Sequence, residues 1–188
     1  MKKKINILLL NLITTTSAWS QSSMIKINAD ESNIHWLAKK VTGEHEGVIK
    51  LVEGSFEMDD DQINGGSFTV DMTSIICTDL SGEYKGKLEG HLKSDDFFGV
   101  EKFPRASMLI TKSEKKMENH YAMEGALTIK GITHPINFEM HVEGNTAATK
   151  LVVDRSKYDV RFRSASFFEN LGDKMIYDDF ELAVNLKF

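Results

Sequence analysis

The chain has one cysteine, Cys77, two prolines and, among its 188 residues, no apolar stretch long enough to cross a bilayer. Each scarcity removes a class of answer. One thiol cannot build an internal disulfide framework, so the core must hold the fold by itself. Two prolines leave no polyproline segment or stiff linker. Basic residues are also short, with 23 Lys and Arg against 28 Asp and Glu and a net charge of −5. That balance lacks the positive footprint of a nucleic-acid binder or an anionic-membrane binder. Reactive motifs are missing too: there is no G-x-S-x-G elbow, no HExxH or His-x-His spacing, and no glycine-rich phosphate loop before a helix. His35, His45, His91, His120, His134 and His141 are scattered, and only Glu44-His45-Glu46 groups a histidine with acids. Asp154-Arg155 can be drawn as a catalytic pair, but a strand-end ion pair or turn explains it as well. No enzyme, metal or cofactor is expected.

What is present begins with an address. Met1-Lys2-Lys3-Lys4 precedes an apolar stretch over 5–13, then Thr14-Thr15-Thr16-Ser17-Ala18-Trp19-Ser20-Gln21. A positive start, a short apolar centre and small residues at Ala18 and Ser20 predict a secretory signal peptide over 1–20, cut after Ser20. No cysteine stands at the cut to carry a lipid. The expected product is periplasmic or secreted, a single domain over 21–188 with a substantial core. Without the three lysines, 20 basic residues face 28 acidic ones, a net charge of −8.

Period-two alternation fills most of that domain. Ile34, Trp36 and Ala38 alternate with polar neighbours or Leu37. So do Phe68, Val70 and Met72, then Ile136, Phe138, Met140 and Val142, then Phe180, Leu182, Val184, Leu186 and Phe188. Such patterns predict strands with one apolar and one wet face. Further strands are expected over 48–52, 106–111, 120–129, 150–153 and 160–164. Asn64-Gly65-Gly66 is expected to close a hairpin between Phe56 and Phe68, with Asp59-Asp60-Asp61 as a solvated tip. Gly131 and Pro135 flank a second connection, and Gly144-Asn145 opens a third. Short antiparallel strands at this spacing give an all-β barrel or sandwich.

One region breaks the pattern. Leu88 and Leu92, four apart among charges, predict a short helix or helical turn near 85–97, weakened by Gly86 and Gly90. Ser94 or Asp95 can cap it through side-chain oxygens. Phe97, Phe98 and Phe103 follow, each with about 150–250 Å² to bury, as anchors to the core or as a pocket wall. Eleven phenylalanines and nine methionines suit either a solid core or a wide one around a small ligand.

Several segments together resemble the YceI-like family of secreted lipocalin-like proteins. They are Gly43-Glu44-His45-Glu46-Gly47, Gly66-Ser67-Phe68-Thr69-Val70-Asp71-Met72-Thr73-Ser74-Ile75, and His91-Leu92-Lys93-Ser94-Asp95-Asp96-Phe97-Phe98 with Phe103-Pro104. Glu124-Gly125-Ala126-Leu127-Thr128-Ile129-Lys130-Gly131-Ile132-Thr133-His134-Pro135 and Asp154-Arg155-Ser156-Lys157-Tyr158 complete the set, in the family's order. The resemblance implies a single eight-stranded antiparallel lipocalin-like barrel with a long apolar interior that binds a polyisoprenoid, an isoprenoid quinone or a fatty-acid derivative. Where many members carry an arginine–aspartate pair shortly before the histidine–leucine, this chain has Lys87-Leu88-Glu89-Gly90.

Alternation and position nominate Phe68, Val70, Met72, Leu127, Ile129, Ile136, Phe138 and Met140 as the lining, with Leu92, Phe97, Phe98 and Phe103 closing one end. Plain core packing is the competing role for each. The expected function is non-enzymatic binding, with transport or storage, of a long-chain lipid or isoprenoid ligand, with no nucleic-acid partner and no stable membrane insertion. The alternative is a ligand-free structural or interaction module of the cell envelope.

Overall fold

The alternating segments become strands wherever a neighbour can take their backbone hydrogen bonds. A computed structural model describes residues 22–60 and 62–188; the expected signal peptide lies outside the described residues. In chain order the elements are β1 (Ser22–Lys26), β2 (Asn33–Lys40), β3 (Gly43–Asp59), β4 (Gln62–Cys77), α1 (Gly82–Lys93), β5 (Arg105–Met117), β6 (His120–Ile129), β7 (Ile132–Glu143), β8 (Thr146–Asp154) and β9 (Ile176–Lys187). From β2 to β9 each strand lies antiparallel to a neighbour, except that α1 intervenes in the chain between β4 and β5, and β9 pairs back onto β2. Eight strands therefore close a barrel, which removes the free edges an open sheet would expose. The ninth, β1, was not anticipated from the sequence. It extends the wall by pairing with the far part of β3, Lys26 opposite Ser55 and Ser22 opposite Asp59, beyond the stretch that β2 occupies.

β3 and β4 are the long strands, and they bend to follow the wall. Their register shifts between Val48 and Lys50, between Leu51 and Glu53, and between Glu57 and Met58, as bulged strands do where a sheet curls. Close approach fixes one residue type here. A Cβ on Gly47 would lie 1.9 Å from the carbonyl oxygen of Ile76 and 2.6 Å from the Trp36 ring, so only glycine lets β2, β3 and β4 meet at this point.

Three sequence expectations are corrected. Asn64-Gly65-Gly66 is no hairpin turn: the chain reverses between Asp59 and Gln62, with Asp60 at φ 52°, and Gly65 and Gly66 pair inside the ladder with Glu57 and Phe56. Asn64 is the extra residue of the bulge. Gly66 is there because the strands press together, a Cβ on it falling 2.7 Å from the Ser55 oxygen, whereas a Cβ on Gly65 would meet only the Glu57 side chain. Residues 160–164 are not a strand either. Asp159 and Arg163 take positive φ (59° and 52°), and the carbonyls of Val160 and Phe162 accept hydrogen bonds from the Arg155 guanidinium instead of a neighbouring strand. Pro135, expected to flank a turn, lies within β7 opposite Ala126, and the turn itself is Lys130-Gly131.

The helix begins slightly earlier than expected and ends at Lys93. Ser94 closes it as foreseen: its amide donates to the carbonyls of Gly90 and His91, and its Oγ donates to His91 at 2.8 Å. Asp95 instead pairs with Lys102 at 2.6 Å. The barrel's two ends differ as a result. One end carries the β3–β4, β5–β6 and β7–β8 turns. The other carries two tight turns and both long connections, 78–104 with α1 and 155–175.

Candidate functional site

Inward side chains fill the barrel unevenly. Near the end with the short turns, Phe56 is fully buried and meets Phe68 and Phe188 edge-on, each at 5.3 Å between ring centroids, with Ile63 buried beside them. Toward the other end the strands diverge around a cavity of about 220 Å³. Its wall is almost wholly carbon: Ile34 and Trp36 from β2, Ile49 and Leu51 from β3, Ile110 from β5, and Leu182, Val184 and Leu186 from β9 all face it. An apolar cavity of about 150 Å³ already stays dry and takes up a small hydrocarbon. Lys39 and Tyr177, both largely exposed, belong to the same wall, so the space reaches the surface beside them.

Of the nominated residues, Phe68, Val70, Met72, Leu127, Ile129, Phe138 and Met140 stand on this wall, and Leu92, Phe97 and Phe98 cover it from α1 and the turn that follows. Ile136 and Phe103 do not. Ile136 points inward opposite Gly125 but packs into the core away from the space. Phe103 lies against Gly99 and Gly131, where added Cβ atoms would sit 3.6 and 3.4 Å from its ring, and so pins one connection to a turn. The β9 face (Phe180, Leu182, Val184, Leu186) and the β2 face (Ile34, Trp36, Ala38) were legible as apolar alternation but were not nominated. The same signal that selected β4 and β7 would have found them.

The cover over the cavity is aromatic. His91, on α1, makes edge contacts with Phe97 at 5.2 Å and Phe162 at 4.3 Å, and Phe98 meets Phe97 at 5.7 Å and Phe180 at 6.4 Å. Leu88 and Leu92 place the apolar stripe of the helix on the same space.

A buried arginine holds the second long connection. Arg155, 3% exposed, begins a 3-10 turn over Arg155–Tyr158. Its Nε donates to the Tyr177 carbonyl, Nη1 to those of Val160 and Phe162, and Nη2 to that of Ile176, all within 2.9–3.1 Å. Nη2 also stands 3.3 Å from Asp178, and the guanidinium lies 5.5 Å from the Phe97 ring centroid. Burial draws its pKa down, opposed by the charges of Asp178 and Asp154. Its neighbour Asp154 is not its partner: that carboxylate accepts from the amide and Oγ of Ser156. With four hydrogen bonds to backbone carbonyls and an ion pair to Asp178, Arg155 is a fastener of this connection.

At the same end Asp79 ties β3 to the 78–104 connection. Its Oδ2 accepts from His45 Nδ1 at 2.8 Å, and its Oδ1 from the Glu46 amide at 3.1 Å and the Cys77 thiol at 2.9 Å. Cys77 is fully buried; burial and then the Asp79 hydrogen bond push its pKa up, away from the thiolate form that reacts. Burial also opposes ionisation of Asp79, but the hydrogen bonds from Cys77, His45 and Glu46 outweigh it and bring its pKa to about 2. A depressed carboxylate stabilises the fold above its ordinary value, 3.8, and that contribution is lost as pH falls toward about 2. Thermal unfolding across this interval should therefore steepen in the wild type and flatten in Asp79→Asn, relative to each protein's own stability at neutral pH. Parallel curves would show that Asp79 carries no such linkage. The Glu44-His45-Glu46 group does not converge, since His45 turns to Asp79 and Glu46 to His35 at 3.5 Å. Among the described residues no three or more acid, histidine or cysteine side chains are placed to hold a metal ion.

A closed antiparallel barrel with one apolar cavity and a helical cover defines a lipocalin-like protein. Residues 25–188 match the YceI-like domain, and the chain belongs to that family. A UPF0312 protein of Staphylococcus aureus (strain USA300) is 30% identical over 132 residues, covering 63% of this chain and 74% of its own. Another, from Photorhabdus laumondii, is 35% identical over 101 residues, 52% of this chain and 50% of its own. Among solved structures, Burkholderia cenocepacia BcnA superposes with a TM-score of 0.68 at 18% identity, over 85% of this chain and 98% of that one. A domain from Saccharophagus degradans, described as polyisoprenoid binding and implicated in plant cell wall breakdown, gives 0.58 at 12% identity, over 86% and 95%. At these identities the superpositions establish the shared fold.

Proposed function

We propose that the protein binds a long-chain amphiphile, a polyisoprenoid, isoprenoid quinone or fatty-acid derivative, with its hydrocarbon part in the barrel, and carries or stores it outside the cytoplasm without chemical change. The observation that carries this reading is the carbon-lined cavity between the Phe56 cluster and the α1 cover. A core built for stability alone gains by filling such a space, because each unfilled volume forfeits packing energy. The description of the Saccharophagus degradans domain as polyisoprenoid binding supports the same ligand class.

The energetics suit a chain held without polar recognition. Each methylene removed from water contributes about 0.8 kcal/mol, so about a dozen give on the order of 10 kcal/mol gross. Ordering the chain and losing its free translation costs several kcal/mol. The balance corresponds to roughly micromolar to nanomolar affinity. Selection then acts on the length and shape of the chain.

Extraction of the purified protein into organic solvent, followed by mass spectrometry, tests the proposal. A co-purifying long-chain lipid in stoichiometric amount is the expected result. Repeatedly empty extracts, together with no uptake of a fluorescent fatty acid such as cis-parinaric acid, would leave a ligand-free envelope module as the better account.

A further inference from the structure

The 155–175 connection inverts the usual placement of side chains. Ser164 is 0% exposed, whereas Phe167 and Phe168 are 42% and 49% exposed. The inversion is built into the turn. The amides of Phe167 and Phe168 both donate to the Ser164 carbonyl, at 3.2 and 3.0 Å, and the Ser166 amide donates to Ser164 Oγ at 3.1 Å. Ser166 Oγ in turn donates to Asp178 on β9 at 2.7 Å, and the Ile176 amide to the Arg163 carbonyl at 3.0 Å. Polar groups anchor the turn from within and hold two rings out in water. The fold gains nothing from that exposure, and adjacent exposed apolar rings mark an interaction surface.

The place of this surface and the residues on it indicate its partner. The same connection delivers Arg155 to the cavity wall and leads into Ile176 and Tyr177, the first residues of β9, which also line it; Tyr177 is 48% exposed, so wall and outer surface are continuous there. Arg161 lies 5.0 Å from the Phe167 ring centroid while pairing with Asp159, and Arg163 lies 5.0 Å from that of Phe162. Lys157, Arg161, Arg163 and Lys174 outnumber Asp159, Glu169 and Asp173 by one, in a chain whose net charge is −5. Asp178 and Asp179 follow at the start of β9, so the surface as a whole carries no net positive charge. Aromatic rings beside guanidinium groups fit the interfacial zone of a bilayer, the rings at head-group level and the guanidiniums on lipid phosphates.

We propose that this connection docks the protein on a phospholipid bilayer through Phe167 and Phe168, with Arg161 and Arg163 on lipid phosphates, so that the cavity opening faces the membrane. Its use as a loading station rests on the carrier reading above; the docking itself stands or falls separately. Insertion of rings, not net charge, supplies the attraction, so zwitterionic lipid suffices.

Flotation of residues 21–188, which contain the whole closed barrel, with phosphatidylcholine vesicles provides the test. The wild type is expected to float with the vesicles and to remain bound in high salt. Phe167→Ser/Phe168→Ser should weaken vesicle binding by about tenfold or more, since the two rings together leave about one phenylalanine's surface still to bury. The melting temperature and the binding of cis-parinaric acid in vesicle-free solution should not change. Failure of the wild type to float, equal flotation of the double variant, or complete release by salt would overturn the proposal. So would a dimer that the double substitution dissolves without any vesicle binding, which would make a second copy the occupant. If cis-parinaric acid fails to bind the wild type while flotation behaves as expected, the carrier reading falls and the docking surface stands.

Discussion

Phe138→Asp should abolish uptake of a long-chain probe while the barrel stays folded. Phe138 is half-buried on β7, paired with Met123 across the β6–β7 ladder, and one face of its ring forms cavity wall. A carboxylate there faces an almost wholly carbon wall and must either draw in water or stay protonated. In the empty protein the cavity can admit that water, so the cost to folding is limited. With a hydrocarbon chain in place the water must leave, and affinity for cis-parinaric acid should drop by a hundredfold or more, on the order of 3 kcal/mol. Fluorescence titration beside thermal unfolding separates the outcomes. A variant that loses probe and fold together would make Phe138 a packing residue alone.

Arg155→Ala should be the most destabilising single change at the covered end. It would strand the carbonyls of Tyr177, Val160, Phe162 and Ile176 and leave Asp178 without its cation. Truncating one member of a buried ion pair typically costs about 3–5 kcal/mol. For a domain of this size that is a fall in melting temperature on the order of 10 °C. Arg155→Lys keeps the charge but has a single nitrogen, which cannot reach carbonyls spread around a planar fork, and should recover only part of the loss. A fall of a degree or two in Arg155→Ala, measured by calorimetry, would mean that water replaces the guanidinium and that the connection is held by other contacts.

Much of the barrel was legible because its signal is local. Alternation along β2, β4, β7 and β9 states which face is apolar, and each of those strands turns that face inward. What failed were features decided by distant partners. Gly65 and Gly66 look like turn residues in the sequence, yet both pair inside the ladder, and the small size of Gly66 serves the strand pressing on it from Ser55 and Phe56. Residues 160–164 have β-branched and aromatic members, but a single guanidinium from Arg155 takes their carbonyls and bends the chain away from the sheet. For the cavity, alternation identified the inward side of the wall but not which inward residues border the space. Ile136 and Phe138 share a face and a strand, and only the second borders the space. Ile136 lies nearer the β6–β7 turn than Phe138, so the aromatic floor does not set this limit; the packing of the core around Ile136 does, and no spacing along the chain encodes it.

The aromatic floor beneath the cavity makes the barrel a cul-de-sac. A molecule that enters tail first must back out head first, through the doorway it came in by, and nothing can be threaded from one face of the protein to the other. Whatever polar group terminates the tail therefore stays at the threshold throughout residence. In the proposed carrier, donor and acceptor would then visit the same doorway in turn.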